Sequence, residues 1–151
     1  VKELSKKGEN MSSELNKEKL SPKIDSIARC LQRLDSKKPF TLSELQKDFD
    51  LQDIINTNIA RAIQLSIDIA TSIISRTPSP IPGEMSECFE ALKNLGWIDE
   101  KVCLKMKKSV GLRNTMVHEY EKIDWKIVYE VTTEHLGDIR DYVKQILAKL
   151  P

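Results

Sequence analysis

Between residues 111 and 120 the chain concentrates side chains suited to proton transfer and anion binding, among them Arg113, Asn114, His118 and Tyr120. An imidazole titrates at about pH 6.5, so His118 can act as a base and as an acid near neutrality. Arg113 carries a planar guanidinium that stays positively charged and can bind two oxygens of one phosphate at once. These two residue types suit cleavage of a phosphodiester, in which a proton moves and negative charge builds on the phosphate oxygens.

The spacing of these residues limits how they could meet. On a regular helix Arg113 and His118 lie about 140° apart around the axis, too far to converge easily on one phosphate. Asn114 and His118, four residues apart, share a face, so Asn114 could orient the imidazole or contact the phosphate. We expect either a helix distorted near Gly111 or at its end, or a two-fold axis that pairs two motifs, and we favour the symmetric homodimer.

The run Gly-Leu-Arg-Asn-Thr-Met-Val-His-Glu-Tyr at 111–120, followed by Ile-Asp-Trp at 123–125, resembles the signature of HEPN domains. Among these it is similar to the HepT-like toxins, where an Arg-Asn pair precedes a His five positions after the Arg and a Tyr two beyond the His. The resemblance extends over roughly residues 20–150. It includes Leu-Gln-Asp at 51–53 and the Pro-rich loop before Phe89.

This resemblance implies a metal-independent endoribonuclease without cofactors, the toxin of a pair whose antitoxin is a minimal nucleotidyltransferase. The implied reaction is attack by the RNA 2′-oxygen, which leaves a 2′,3′-cyclic phosphate and a free 5′-hydroxyl. Arg113 and His118 are then catalytic and Asn114 supports them. In HepT-like proteins the tyrosine equivalent to Tyr120 receives AMP groups from the antitoxin, and anionic bulk beside His118 would block RNA.

Two other functions remain open. The chain could be a binding module that performs no chemistry and whose cleft holds a nucleotide or docks a nucleotidyltransferase. Such HEPN domains tend to lose the Arg or the His, and because both are present here the enzyme is favoured. The chain could also be a purely structural dimerisation bundle, in which Arg113 and His118 would affect stability alone.

A basic segment leads into the motif. The formal net charge of +1 excludes nucleic-acid binding by bulk charge, so any such binding must be local. No acidic residue lies between positions 101 and 113, and this helix could track an RNA backbone or be an ordinary solvated face. The candidate RNA-binding residues are Lys101, Lys105, Lys107 and Lys108.

The elements that must position these residues are helices. Hydrophobic side chains recur at three- and four-residue steps and Gly and Pro are few, which predicts an all-α, antiparallel bundle of four to six helices. We expect residues 1–16 to form a flexible lead-in, with Met11 as a candidate start, and residues 17–151 to form the helical-bundle domain. The predicted helix starts are Ser21-Pro22, a capping box at 41–44, Asp50, Met85, Asp99 and Asp124, with a stiff loop over 77–83.

Other residues are predicted to be structural. Cys30, Cys88 and Cys103 lie far apart among apolar residues, which indicates reduced core thiols and a cytoplasmic location. The chain shows no apolar run long enough to span a membrane and no carboxylate spacing that suggests a metal. We expect His135 to lie on an apolar helix face, and we interpret both tryptophans, Trp97 and Trp125, as packing residues.

Overall fold

The computed structural model describes residue 18 and residues 20–151 with their side chains, and the backbone of the first helix from Lys2. This part of the chain contains seven α-helices, one 3₁₀ helix and no β-strand, so the predicted all-α helical bundle is confirmed, with more helices than expected. The helices are α1 (Lys2–Ser36), α2 (Leu42–Lys47), α3 (Phe49–Ile74), α4 (Met85–Asn94), α5 (Glu100–His118), the 3₁₀ helix (Tyr120–Lys122), α6 (Trp125–Glu134) and α7 (Leu136–Lys149).

The long helix α3 is the centre of the bundle, as its wide apolar face predicts. It packs against α1, α4 and α5 and also contacts α2, α6 and α7. Its fully buried side chains are mostly branched and aliphatic, such as Ile55, Ile59 and Ile63, because the chain has few aromatic residues to fill a core. Removal of this apolar surface from water is the main force that holds the other helices against α3.

A buried tyrosine joins three helices. Tyr142 of α7 donates a hydrogen bond of 2.8 Å from its hydroxyl to the carbonyl oxygen of Ser66 in α3. Its ring meets that of Phe89 in α4 edge to face, with centroids 5.5 Å apart. This hydrogen bond satisfies the buried hydroxyl, which would otherwise lose its hydrogen bonds to water at a cost in stability.

Side-chain caps begin several helices where the sequence predicts them. Asp99 accepts a hydrogen bond from the Val102 amide at 2.8 Å, and Thr41 accepts one from the Glu44 amide at 3.1 Å. Asp124 caps α6. Each cap satisfies a backbone amide that has no partner within the helix.

The predicted cap of α3 was wrong. Asp48, rather than Asp50, accepts the hydrogen bond from the Leu51 amide, at 3.0 Å. A single residue separates α2 from α3, so the cap of α3 also ends α2 and Asp50 already lies in the first turn.

The predicted start of the first helix at Ser21-Pro22 was also wrong. Helix α1 runs through Pro22, and Leu20, which precedes it, is fully buried in the core. Burial of Leu20 in the core favours continuation of the helix before the proline. This gain outweighs the loss of the single backbone hydrogen-bond donor that Pro22 lacks. The flexible lead-in expected over residues 1–16 falls outside the residues described with their side chains and stays a prediction.

The last predicted helix is two helices that meet at His135. Helix α6 ends before this residue and α7 begins after it. The hydroxyls of Thr132 and Thr133 donate to backbone carbonyls four residues earlier, an interaction that bends helices, and Gly137 weakens the helix that follows. His135 is consequently exposed, with its Nδ1 3.6 Å from Asp138 Oδ2, so its expected place on a buried apolar face was wrong.

All three cysteines are buried free thiols, as predicted. Both tryptophans pack against the core, which confirms their interpretation as packing residues. Within the part of the chain that the structure describes, no helix combines the length and the apolar composition needed to cross a membrane.

Candidate functional site

Helix α5 carries Arg113, Asn114 and His118 and is unbroken from its first residue to its last. Gly111 lies within it, so the distortion considered near this glycine does not occur. The helix ends at His118, and the backbone of Glu119 leaves the helical region with φ −135° and ψ 52°. Within one chain Arg113 and His118 therefore point in directions about 140° apart.

The beginning of α5 is fastened to α7 by a reciprocal pair of hydrogen bonds. The Asp99 amide donates to Gln145 Oε1 at 2.9 Å, and Gln145 Nε2 donates to Asp99 Oδ2 at 2.8 Å. The hydrogen bond from the Val102 amide, followed by that from Gln145, lowers the pKa of the Asp99 carboxyl. These contacts hold α5, and with it the motif, against the bundle.

Arg113 is half-buried where α5 meets the start of α4. Its Nη1 donates to Asn114 Oδ1 at 3.0 Å and lies 4.0 Å from Met85 Sδ. Its Nε is buried and has no hydrogen-bond partner among the described residues. The guanidinium thus keeps donors that an anion could satisfy, and Asn114 holds one edge of it.

His118 is exposed, and neither ring nitrogen has a hydrogen-bond partner within the described chain. It lies on one line along α5 with Gly111 and Leu104, since residues seven apart return to nearly the same angle. Leu104 is 57% exposed, and a Cβ added to Gly111 would meet nothing within 4 Å. The face that carries His118 therefore offers an apolar side chain and room for close approach.

Tyr120, in the 3₁₀ helix two residues after His118, contacts a residue far away in sequence. Its hydroxyl donates to Asp53 Oδ1 of α3 at 3.1 Å, across 67 positions of the chain. Its ring meets Trp125 edge to face, with centroids 6.0 Å apart, and the residue remains 42% exposed. Partial burial, together with the hydrogen bond to Asp53 and the charge of Asp53, raises the pKa of the Tyr120 hydroxyl.

The structure divides the four candidate RNA-binding lysines into two pairs. Lys105 Nζ lies 2.9 Å from Asp138 Oδ1, and Lys107 Nζ lies 3.3 Å from Glu90 Oε2, so carboxylates on α7 and α4 offset their charges. Lys101 and Lys108 are exposed and form no ion pair with the described residues. These two lie seven residues apart, on the solvent side of α5.

A carboxylate between α4 and α5 collects three donors. Glu90 accepts hydrogen bonds from Lys93 at 2.6 Å, from Lys107 at 3.3 Å and from the Cys103 thiol at 3.4 Å. These donors, Lys93 first, lower the pKa of Glu90 to about 2. Burial and the contact with Glu90 raise the pKa of Cys103 to about 11, so this thiol stays protonated near neutral pH.

The main surface depression lies away from the motif, and the described residues form no metal site. A surface depression of about 740 Å³ lies between α2 and α3, and no residue of the motif lines it. The described residues contain no group of three or more His, Cys, Asp or Glu side chains that could hold a metal ion.

Comparison with known proteins identifies the family. Residues 27–146 match the ribonuclease HepT-like family. The mRNA nuclease HepT of Shewanella oneidensis is 33% identical over 127 residues, which cover 84% of this chain and 95% of that protein. The chain belongs to the HepT-like ribonuclease family.

Two further comparisons agree with this assignment. The tRNA nuclease HepT of Aphanizomenon flos-aquae is 29% identical over 130 residues, covering 84% of this chain and 86% of that protein. A solved structure of the tri-AMPylated Shewanella oneidensis HEPN toxin in complex with an MNT antitoxin superposes with a TM-score of 0.79 at 32% identity, covering 86% of this chain and 97% of that one. The predicted family is confirmed, and with it the predicted class of enzyme, a ribonuclease.

Sequence reasoning missed two neighbours of the motif in this HepT-like chain. Met85 lies against Arg113, and Asp53 holds the hydroxyl of Tyr120. The only signal for Asp53 is its place in the Leu-Gln-Asp run that resembles the family. No spacing rule predicts a contact between residues 67 positions apart.

Proposed function

We propose that this HepT-like chain is a metal-independent endoribonuclease toxin that cleaves RNA by attack of a 2′-hydroxyl on the neighbouring phosphorus. The products are a 2′,3′-cyclic phosphate and a free 5′-hydroxyl. One observation carries the proposal: Arg113 and His118 lie at the end of one unbroken helix, α5, in a chain of this family. RNA is the substrate class because the relatives are named as mRNA and tRNA nucleases.

The two side chains divide the chemistry. The exposed imidazole of His118 takes the proton of the 2′-hydroxyl, and the His118 imidazolium formed in this way gives that proton to the departing 5′-oxygen. The guanidinium of Arg113 donates to the non-bridging oxygens, where negative charge increases in the transition state. Asn114 supports the reaction by holding Nη1 of Arg113, and it leaves His118 free.

The site is proposed to form between two protomers of a homodimer. On an unbroken α5 Arg113 and His118 of one chain point about 140° apart. A two-fold axis can instead pair Arg113 of one protomer with His118 of its partner. The outer face of α5 suits this contact. Leu104 is exposed on it, and Gly111 lets a second helix approach closely.

Lys101 and Lys108 are proposed to contact the RNA backbone. Both lie on the solvent side of α5 and form no ion pair with the described residues, whereas neighbouring carboxylates offset the charges of Lys105 and Lys107. Each phosphate contact adds affinity that weakens as salt rises.

Tyr120 is proposed as the residue that an MNT antitoxin modifies with AMP. The similar Shewanella oneidensis toxin is tri-AMPylated and forms a complex with an MNT antitoxin. Tyr120 is partly exposed two residues after His118, so each added phosphate would place negative charge where RNA must bind. The reduced thiols support a cytoplasmic location for this pair of proteins.

Mixing two inactive variants tests the composite site. Arg113→Ala and His118→Ala should each fold as a dimer and fail to cut RNA that the parent cuts. In a mixed dimer one cleft carries both substitutions and the other carries neither. Half of the dimers are mixed after subunit exchange, so about a quarter of the parental cleavage should return.

The outcomes separate the alternatives. No recovery on mixing, with subunit exchange verified by native mass spectrometry, would mean that each protomer holds a complete site. Parental cleavage by His118→Ala alone would remove His118 from the mechanism. If the parent binds RNA without cutting it, the chain is a binding module.

A further inference from the structure

The contact between Tyr120 and Asp53 is the starting observation. Asp53 Oδ1 is the only hydrogen-bond acceptor that the Tyr120 hydroxyl has among the described residues. Asp53 is exposed and makes no other side-chain hydrogen bond within that part of the chain. Nothing in the cleavage chemistry proposed above uses either the carboxylate or this contact.

The geometry prepares the tyrosine oxygen to act as a nucleophile. Because the O–H bond is directed at Asp53, the remaining lone pairs of the oxygen point away from that carboxylate, and the residue is 42% exposed. The Trp125 ring packs edge to face with the Tyr120 ring, with centroids 6.0 Å apart, and limits how the Tyr120 ring can turn. A hydroxyl in contact with a base and held in one orientation is the arrangement of an activated nucleophile.

We propose that Asp53 holds the Tyr120 hydroxyl and takes its proton when that oxygen accepts a nucleotidyl group from a nucleoside triphosphate. The proposal rests on the function proposed above, in which Tyr120 is the modified residue. The bond from Tyr120 Oη to the α-phosphorus forms, the bond from that phosphorus to the bridging oxygen breaks, and pyrophosphate leaves. The phenolic proton passes to Asp53 Oδ1 and then to the solvent that reaches this exposed carboxylate.

A proton acceptor is needed because the phenol does not ionise readily. Partial burial and the nearby negative charge both raise its pKa above the ordinary value of 10.0, so phenolate is scarce near neutrality. A carboxylate in contact can accept the proton as the new bond to phosphorus forms. The other ionisable groups around the site, on α3, at the end of α5, in the 3₁₀ helix and before α6, are Asp50, His118, Glu119, Glu121, Lys122 and Asp124.

A merely structural role would give a different result. If the contact only fastens the 3₁₀ helix to α3, its loss would slow modification by the same factor at every pH. Loss of a proton acceptor instead slows the chemical step most where phenolate is rarest. The dependence of the modification rate on pH therefore separates the two roles.

The experiment measures AMP incorporation into the purified toxin by its nucleotidyltransferase partner, with ATP, by intact mass over time. In Asp53→Asn an oxygen still accepts the hydrogen bond but cannot take the proton. We expect its kcat near neutral pH to fall about tenfold or more with an unchanged KM for ATP, and the deficit to shrink as pH rises. Asp50→Asn removes the same charge one turn earlier on α3, from a residue without a hydrogen bond to Tyr120 in the structure, and should be modified at a rate close to that of the parent.

Two results would overturn the proposal: parental rates for Asp53→Asn at every pH, or a deficit that does not change with pH. Tyr120→Phe identifies which assignment has failed. Parental incorporation into Tyr120→Phe would show that another residue is modified, and both assignments would fall. No incorporation into Tyr120→Phe, together with an unimpaired Asp53→Asn, would sink the role of Asp53 alone.

Discussion

At the scale of single residues, the fold satisfies only part of the hydrogen-bonding capacity of the Arg113 guanidinium. Asn114 occupies one donor of its guanidinium, the sulfur of Met85 covers one side, and Nε is buried without a partner. A buried donor without an acceptor is unfavourable, so an arriving anion that draws the guanidinium toward itself would relieve part of that cost. Shape as well as charge therefore matters at this position.

Arg113→Lys tests this point. Lysine keeps the positive charge but lacks the planar guanidinium, which can bind a phosphate through two donors while a third donates to Asn114. The rate of RNA cleavage should therefore fall about 10²-fold. Single-turnover cleavage of RNA measures the effect. Arg29→Lys, on the exposed side of α1, is the matched control and should cut like the parent. Full activity of Arg113→Lys would mean that charge alone suffices.

Glu90 makes the stability of the protein depend on pH. Its carboxyl has a pKa of about 2 in the folded chain, below the ordinary value of 4.5, because Lys93, Cys103 and Lys107 donate to it. A lowered pKa stabilises the fold at pH values above 4.5, and this stabilisation is lost as pH falls from 4.5 through about 2.

Glu90→Gln should therefore unfold more easily than the parent near neutral pH. The difference should shrink as the solution is acidified through this range. Urea unfolding at a series of pH values measures it. Glu130→Gln, an exposed glutamate of α6 without an ion pair among the described residues, is the control. A constant difference between Glu90→Gln and the parent would contradict the assignment.

At the scale of elements, a tight turn connects α4, which begins at Met85, to α5, which carries Arg113. Helix α4 ends in a pair of hydrogen bonds, from the Gly96 amide to the Lys93 carbonyl at 3.0 Å and from the Trp97 amide to the Leu92 carbonyl at 2.9 Å. Gly96 has φ +83°, a left-handed conformation that disfavours any residue with a Cβ. The glycine is needed for its backbone, since an added Cβ would meet nothing within 4 Å.

Gly96→Ala should lower the free energy of unfolding by about 1–2 kcal/mol, the cost of a Cβ in the left-handed region. Chemical unfolding measures this change. Gly137→Ala, within helix α7 and also free of contacts at its Cβ, should show no loss. Equal stabilities for the two variants would mean that the turn accommodates alanine by changing its backbone.

At the scale of the whole molecule, the proposed pairing of Arg113 with His118 of a second protomer depends on the outer face of α5. Leu104 is exposed on this face, whereas five other apolar side chains of α5 are buried against the bundle, namely Val102, Cys103, Met106, Val110 and Met116. A second copy related by two-fold symmetry would cover this leucine and bring two motifs together.

Leu104→Glu should convert the proposed dimer to a monomer, because it places a charge at the centre of the contact, and RNA cleavage should fall with dimer content. Sedimentation measures the assembly. Leu147→Glu alters an equally exposed leucine, 51% accessible, on α7 and should leave the dimer intact. An undisturbed dimer in Leu104→Glu would place the interface elsewhere.

The residue pattern by itself determined the helical fold, most helix ends and the motif. These depend on neighbours within one or two turns: apolar periodicity defines the faces of α3, and Asp99, Thr41 and Asp124 cap helices through amides two or three residues away. The same local view failed where longer-range packing competes, as at Leu20 and at the break beside His135.

Only the tertiary structure decided the surroundings of the motif. It placed Asp138 beside Lys105, Glu90 beside Lys107 and Asp53 against the hydroxyl of Tyr120. Each of these contacts joins residues on different helices, and helix packing brings them together without any trace in local spacing. Helix packing therefore decides which lysines of α5 remain free of carboxylate partners, and it decides the environment of Tyr120. The order of the helices along the chain does not.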